Sequence, residues 1–341
     1  MTAELDEKPR LAVIPGDPSG IGPELIAKLL HEPPTLARAD IVLIGDRHVF
    51  ERGAEQAGLS LTALAPVDLV ASGLHALPGG LSHLNTELIA PEAVVIREVN
   101  EAGGRFSLRT LDMALDLVRE GTCDAVLFGP FNKAALHMAG LGHDDELHYM
   151  ASYLGHEGHV CELNTLDGMW TSRVTSHVAL RDVAELIDEP RILNAIRLVD
   201  RTLKASGLSR PRIAVAGLNP HCGDNGNFGR EEIEVIAPAV RKAAERQIDV
   251  TGPWPADTIF LKAKAGEVDA IVTMYHDQGQ IALKLMGFDR GVTVQGGLPL
   301  PVATPAHGTA FDIAGKGVAD LGATRAAFNV ACDFAERRQR A

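Results

Sequence analysis

The 341-residue chain has four cysteines, no apolar run near the ~20 residues that would span a membrane, and no Lys/Arg cluster outside a C-terminal ERRQR. Each scarcity excludes something. Cys123, Cys161, Cys222 and Cys332 are far apart and form no CxxC, so they read as reduced thiols rather than a disulfide framework. Cys222 adjoins His221, but neighbouring residues rarely both ligate one metal, and a packing role is expected for it. The opening MTAELDEKPR is polar and acidic, without the apolar segment of a secretory leader, and a cytoplasmic location is expected. A net charge of −13 gives no basic face for nucleic acid, although it leaves room for a local anion site. The ERRQR segment suits the end of a last helix, where cations complement the dipole. Also missing are a GxGxxG dinucleotide fingerprint, an HExxH pair, internal repeats and low-complexity linkers. In GDPSGIGPE (16–24) the glycines Gly16, Gly20 and Gly22 lack the fingerprint spacing, and a tight strand–helix turn is the plainer reading. GHEGHVCE (155–162) brings its second histidine one residue too early for HExxH and reads as a solvated turn.

What is present is alternation. LAVIPG (11–16), IVLIGD (41–46), DAVLFGP (124–130), RIAVAGLNP (212–220) and DAIVTMYH (269–276) are apolar runs ending in glycine or polar residues. AVVI (93–96) is a further short apolar run. Helices are predicted at 23–30, near 47–57, and at 107–121, where apolar residues recur at helical spacing and Gly121 ends the pattern. Runs without period-two alternation suit parallel strands buried on both faces, and the alternation with helices predicts an α/β fold. In such sheets ligands bind beyond the carboxyl ends of the strands. The predicted ends here are GDPSG, GPFNK, NPHCG and YHDQG. A hinge is expected near 131–145.

Three histidines stand at such ends: His177 in TSHVALRD, His221 in GLNPHCGDNG and His276 in MYHDQGQ. Neutral imidazoles converging there suit a divalent metal with positions open to a substrate; each histidine alone has a bland reading as a hydrogen-bonded loop residue. His307, in AHGTAFDIAGKG (306–317), is a weaker candidate, because Thr309 suits a helix cap there. Lys133 in GPFNK and Lys284 in IALKLMG are single cations near these loops, suited to an anion or to proton transfer, or simply to the surface.

GDPSGIGPE, GPFNK, GH at 142–143, TSH at 175–177, GLNPHCGDNG with the following GREE, PADT at 255–258, MYHDQG, KLMGFDRGV, GLP and HGTAFDIAGKG together resemble the PdxA family over nearly the whole chain, in order. That family contains NAD-dependent 4-phosphohydroxythreonine dehydrogenases of vitamin B6 synthesis and relatives of other specificity. The resemblance implies the two-lobed α/β fold of isocitrate and isopropylmalate dehydrogenases, with largely parallel sheets, helices on both faces and an active site in the cleft. The lobes are expected at 1–142 plus 308–341 and at 143–307. It implies a homodimer with the active site at the subunit interface, NAD (NADP remaining possible) and a divalent metal such as Zn, Mg, Mn or Co. His177, His221 and His276 match the metal ligands; His143 and Lys284 match substrate contacts, with Asp144 and Thr293 at neighbouring contact positions. Gly223, Asn225 and Gly226 are cofactor candidates. Lys133 is the candidate proton donor or acceptor, and Asp257 and Asp277 are expected to orient ligands.

Departures bear on the substrate. Where B6-pathway members align a Thr after GH, an Asn after RGV and an Arg after GLP-x-x, this chain has Asp144, Thr293 and Val302. An acid replaces a neutral contact and an arginine fork is lost, which argues against the same anionic substrate. WTSRVTSHV and GLPLPVATPAHG look closer to the branch that oxidises 4-phospho-D-threonate or 4-phospho-D-erythronate. The leading expectation is oxidation and decarboxylation of a 4-phosphorylated four-carbon 3-hydroxy acid. The alternatives are the B6 enzyme, a cis-dihydrodiol dicarboxylate dehydrogenase and, from a different class, a non-catalytic two-lobed solute binder. A small-molecule substrate, no nucleic acid and no membrane complete the expected partners.

Overall fold

The computed structural model describes residues 8–69, 77 and 79–340. The polar residues 1–7, part of the segment in which no leader was expected, lie outside them. Its strands are β1 (Arg10–Ile14), β2 (Asp40–Gly45), β3 (Val67–Asp68), β4 (Leu81–Asn85), β5 (Ala125–Phe128), β6 (Cys161–Leu166), β7 (Met169–Arg173), β8 (Ile213–Ala216), β9 (Val250–Trp254), β10 (Ala270–Thr273), β11 (Val292–Gly296) and β12 (Val302–Pro305). The chain divides into two compact units, 1–157 with 298–341, and 158–297. No helix among the described residues is long and apolar enough to cross a membrane.

In the first unit the strand order is β3-β4-β2-β1-β5-β12, parallel throughout. Ala12, Ile14, Val126 and Phe128 point to one face and join Leu111, Leu115 and Val118 of the helix Glu101–Arg119 in an apolar cluster. Leu11, Val13 and Leu127 point to the other face and are equally buried. This explains why the strands read as unbroken apolar runs. The helix begins six residues earlier than the sequence pattern suggested, because the Asn100 side chain accepts the Gly103 N–H and caps it. The last helix, Gly322–Gln339, ends with Arg337 and Arg338 in its final turn. AVVI (93–96) forms no strand; its Ala93 ends a short 3₁₀ turn at Pro91–Ala93.

The unit boundaries differ from the expected 142/143 and 307/308. Residues 143–157 pack with the first unit: Tyr149 and Tyr153 donate their hydroxyls to Asp112 and Asp116 at 2.7 and 3.0 Å. Residues 298–307 belong there too, because β12 pairs with β5. The segment 131–145, expected as a hinge, holds the helix Lys133–Met138 and packs Leu136 and Leu141 against Leu108.

In the second unit the order is β11-β6-β7-β10-β8-β9. The strands β7, β10, β8 and β9 are parallel, whereas β6 runs antiparallel to both β11 and β7. The sheets are therefore largely parallel, with an antiparallel edge that the alternation of apolar runs did not announce. The helices Glu189–Ala205 and Ala237–Glu245 complete this α/β unit, the first capped by Asp188, which accepts the Arg191 N–H.

Candidate active site

The three histidines follow three neighbouring parallel strands. β7 leads to His177, β10 to His276 and β8 to His221, with β10 between the other two. Parallel pairing puts the carboxyl ends of all three strands on one edge, so the following turns leave the sheet together. The rings of His177 and His276 lie with centroids 5.9 Å apart, tilted by 44°. His276 opens the helix His276–Gly287, and its Nδ1 lies 2.7 Å from Oδ1 of Asp277. That contact leaves Nε2 of His276 to face a ligand. Gln278 ties the two strand ends together: its Oε1 accepts the Met274 N–H at 2.7 Å and its Nε2 donates to the Gly217 carbonyl at 2.9 Å.

His221 is held differently. Residues 221–225 run left-handed, with φ of 52°, 55°, 76°, 42° and 56° for His221, Cys222, Gly223, Asp224 and Asn225. A non-glycine residue in this conformation costs roughly 1–2 kcal/mol, so the turn must be held from outside. Glu232, only 3% exposed, does so. Its Oε1 accepts the N–H groups of Leu218 and Asn219 at 2.8 and 2.7 Å, and its Oε2 accepts the Asn219 side-chain amide at 3.0 Å. Gly223 is required here on two counts, its φ and its space. A Cβ would lie 2.7 Å from the Gly229 carbonyl oxygen and 2.9 Å from Oε2 of Glu232. Gly223, Asn225 and Gly226, the cofactor candidates, thus occupy and end this turn. Burial, followed by the charges of Glu232 and Asp257, pushes the Cys222 thiol up, away from the thiolate that ligates metals. Asp257 is exposed and borders this turn.

The donor chemistry suits a divalent ion as far as a pair of neighbouring imidazoles, one of them oriented by a carboxylate. Among the described residues no group of three or more His, Cys, Asp or Glu side chains is close enough to hold a metal, so within one chain His221 does not join that pair.

Of the other candidates in this unit, Lys284 lies exposed on the helix that His276 opens. Thr293 lies in β11, buried, its hydroxyl accepting from the Asn164 amide at 2.9 Å. In the first unit Lys133 is exposed at the start of its helix, after the Asn132 cap. His143 packs edgewise on Tyr149, with centroids 6.2 Å apart, and Asp144 is exposed. Burial of the adjacent Asp145 opposes its ionisation. The His148 N–H and imidazole, with the charge of Lys133, outweigh it and hold the carboxyl below the usual range. Val302 is 1% exposed inside the apolar core. His307 is held below the ordinary histidine range by burial.

The first unit also has a crevice position of its own. The chain moves from β1 to one side and returns with β5 on the other, and the loops GDPSG and GPFNK meet beyond these ends. Asp17 N–H donates to the Pro130 carbonyl at 3.0 Å, and Ile21 N–H to that of Thr309 at 3.1 Å. Asp17 is 1% exposed. Burial pushes its carboxyl up to about 6 against the opposing Ser19 N–H. Sequence reading passed over Asp17, Asn164, Arg173, Glu232 and Gln278. Gln278 and Glu232 sit inside recognised motifs, YHDQG and GREE, Asp17 inside GDPSG and Arg173 inside WTSRVTSHV; Asn164 carried no local signal.

A family model described as pyridoxal phosphate biosynthetic protein PdxA matches residues 37–331. A Pseudomonas aeruginosa protein named "Putative 4-hydroxythreonine-4-phosphate dehydrogenase 2" is 58% identical over 95% of this chain and 96% of its own length. A Salmonella typhimurium D-threonate 4-phosphate dehydrogenase is 38% identical over 92% of this chain and 95% of its own. The crystal structure of a Klebsiella pneumoniae 4-hydroxythreonine-4-phosphate dehydrogenase superposes with a TM-score of 0.83 at 34% identity, covering 96% of this chain and 98% of that one. With nearly its full length matched in both sequence and fold, the chain belongs to the PdxA family.

Proposed function

We propose that this protein is a nicotinamide-dependent dehydrogenase that oxidises the hydroxyl of a 4-phosphorylated four-carbon 3-hydroxy acid of the 4-phospho-D-threonate or 4-phospho-D-erythronate type and releases carbon dioxide. The observation that carries this reading is the facing pair His177 and His276 at the ends of adjacent parallel strands, in a chain of a family whose relatives are named dehydrogenases of phosphorylated hydroxy compounds.

In this reading His177 and His276 would hold a divalent ion, which when bound would supply positive charge beside the substrate oxygen and favour loss of its proton and of the neighbouring carboxylate. Asp277 fixes the His276 ring. His221 is the third ligand, and a homodimer that shares its site across the subunit interface accounts for its standing apart from the pair within one chain. Lys284 and His143 neutralise and orient the substrate anion, with Asp144 and Thr293 near it. Lys133 exchanges the proton, with Asp257 beside the turn of His221. The cofactor is NAD or NADP, and Gly223, Asn225 and Gly226 approach it with their backbone. When bound, the nicotinamide would supply the acceptor for the hydride of the substrate carbon; the 3-keto acid so formed would lose carbon dioxide, the electron pair of the broken carbon–carboxylate bond moving to the ketone and Lys133 returning a proton to carbon. Val302 supports the acid-sugar branch over the B6 enzyme, because a buried valine offers no guanidinium fork to an anion.

The test is NAD(P)H formation, read by absorbance, with each divalent metal and a panel of 4-phosphothreonate, 4-phosphoerythronate, 4-phosphohydroxythreonine and an unphosphorylated cis-dihydrodiol dicarboxylate. Turnover of the first two at a higher kcat/KM than the others is expected. Preference for 4-phosphohydroxythreonine would assign the B6 reaction instead. No turnover of any substrate together with no cofactor binding would leave a non-catalytic binder.

A further inference from the structure

Beneath the helix His276–Gly287, the antiparallel strands β11, β6 and β7 carry polar residues where a sheet normally carries apolar ones. Arg173, at the end of β7, is 4% exposed, and Asn164 of β6 and Thr293 of β11 are also buried. The Arg173 guanidinium donates in three directions: Nε to the Ser176 hydroxyl at 2.9 Å, one terminal nitrogen to Oδ1 of Asn164 at 3.2 Å, and the other to Oε2 of Glu162 at 2.6 Å. The same Oδ1 of Asn164 accepts the side-chain amide of Gln280 at 2.5 Å, and the Asn164 amide donates to Thr293.

Both ends of this chain of bonds lie close in the chain to a candidate histidine. Ser176 precedes His177, and Gln280 lies four residues, one helical turn, after His276. We propose that Arg173 and Asn164 are positioning residues, forming a buried polar bridge from Ser176 to Gln280 that sets the separation of the His177 and His276 rings. The proposal rests on the reading of those two histidines as a ligand pair.

The physical case is one of cost against geometry. A buried arginine–carboxylate pair is seldom more stable than apolar residues of the same volume, because desolvation offsets the attraction. What such a network supplies is direction: a guanidinium fixes its partners through a planar fork, and a carbonyl oxygen accepting from both Arg173 and Gln280 ties a strand end to a helix. The two imidazoles sit on different elements, a turn after β7 and the start of a helix after β10; backbone pairing runs on through Val174 N–H to the Thr273 carbonyl and Thr175 N–H to that of Met274, and stops two residues short of each histidine. The bridge acts on that last stretch. Thr293 then serves as a partner for Asn164, which explains its burial.

The probe is cobalt(II) added to the full-length metal-depleted protein, with affinity read by calorimetry, coordination by visible absorption, and folding by circular dichroism. Asn164→Leu and Gln280→Leu are expected to weaken cobalt binding by ~10-fold or more and to alter its spectrum. Asn164→Asp, whose carboxylate still accepts from Arg173 and Gln280, is expected to restore both. If Asn164→Leu does not fold, Gln280→Leu decides, since it removes one end of the bridge from a half-buried helix position. Wild-type affinity and spectrum in the folded Leu variants would overturn the bridge. His177→Ala and His276→Ala separate the two claims: cobalt binding that survives them overturns the ligand-pair reading itself, and loss there with no effect at Asn164 and Gln280 overturns only the bridge.

Discussion

Asp277 holds the imidazole of its own neighbour: its Oδ1 lies 2.7 Å from Nδ1 of His276. Asp277 is 71% exposed, so the contact contributes little to folding and its effect falls on the direction of the ring. Asp277→Ala is expected to leave the melting temperature within a degree or so and to lower divalent-metal affinity by roughly 10–100-fold. Metal titration by calorimetry, beside a thermal melt, checks both; unchanged affinity would refute the orienting role.

Glu232 clamps the left-handed turn of His221 with bonds to Leu218 and Asn219. Removing its carboxylate strands two partly buried N–H groups and frees a strained turn, each N–H costing about 1–3 kcal/mol at most. Glu232→Ala is expected to lose about 2–4 kcal/mol by urea denaturation. Glu232→Gln, which keeps one acceptor oxygen, is expected to lose about half of that.

Asp17 gives a pH dependence whose sign follows from its burial. Its carboxyl is raised from 3.8 to about 6 in the folded chain, so between these values the folded state binds the proton more tightly than the unfolded one. Stability from this group is therefore full below pH ~4 and is lost as pH rises to ~6, by on the order of 3 kcal/mol. Asp17→Asn, which keeps the acceptor for the Ser19 N–H, is expected to melt higher than wild type at pH 7.5, the gap closing below pH 4. Equal melting temperatures at pH 7.5 would contradict this.

Gly22 and Gly58 separate lack of space from backbone conformation. A Cβ at Gly22 would lie 1.9 Å from the Pro15 carbonyl oxygen, whereas at Gly58, with φ of +69°, nothing lies within 4 Å. Gly22→Ala is expected to cost more than about 4 kcal/mol or to prevent folding. Gly58→Ala is expected to cost about 1 kcal/mol, from its backbone angle alone. Denaturant midpoints of the two variants test the contrast.

The parallel strands were legible because burial on both faces leaves only apolar residues in them, as in LAVI, IVLI and AIVT. The antiparallel β6 and β7 were not, because CELNTL and MWTSR mix polar and apolar residues and a buried polar network does not follow the usual alternation. One local signal was there to find: Asp167–Gly168 between Leu166 and Met169, with φ of 49° and 85°, is the Asp-Gly turn of a two-residue hairpin. Asn164 and Arg173 stayed hidden because partners of theirs are supplied by other elements, Gln280 of the helix after β10 for Asn164 and Glu162 of β6 for Arg173.

The sequence by itself determined the α/β class, the family, and the strand-end positions of His221 and His276, because apolar runs and the turns that stop them are local features; the strand before His177 emerged only with its neighbours. Tertiary structure alone decided which of those histidines meet. The order β7-β10-β8 and the helix after β10 bring the ring centroids of His177 and His276 to 5.9 Å, while His221, in a left-handed turn clamped by Glu232, forms no three-residue ligand group with them among the described residues. The reason is that which rings meet depends on which strands are neighbours, and the hydrogen bonds around them join residues more than a hundred positions apart, such as Asn164 and Gln280; no local pattern encodes either.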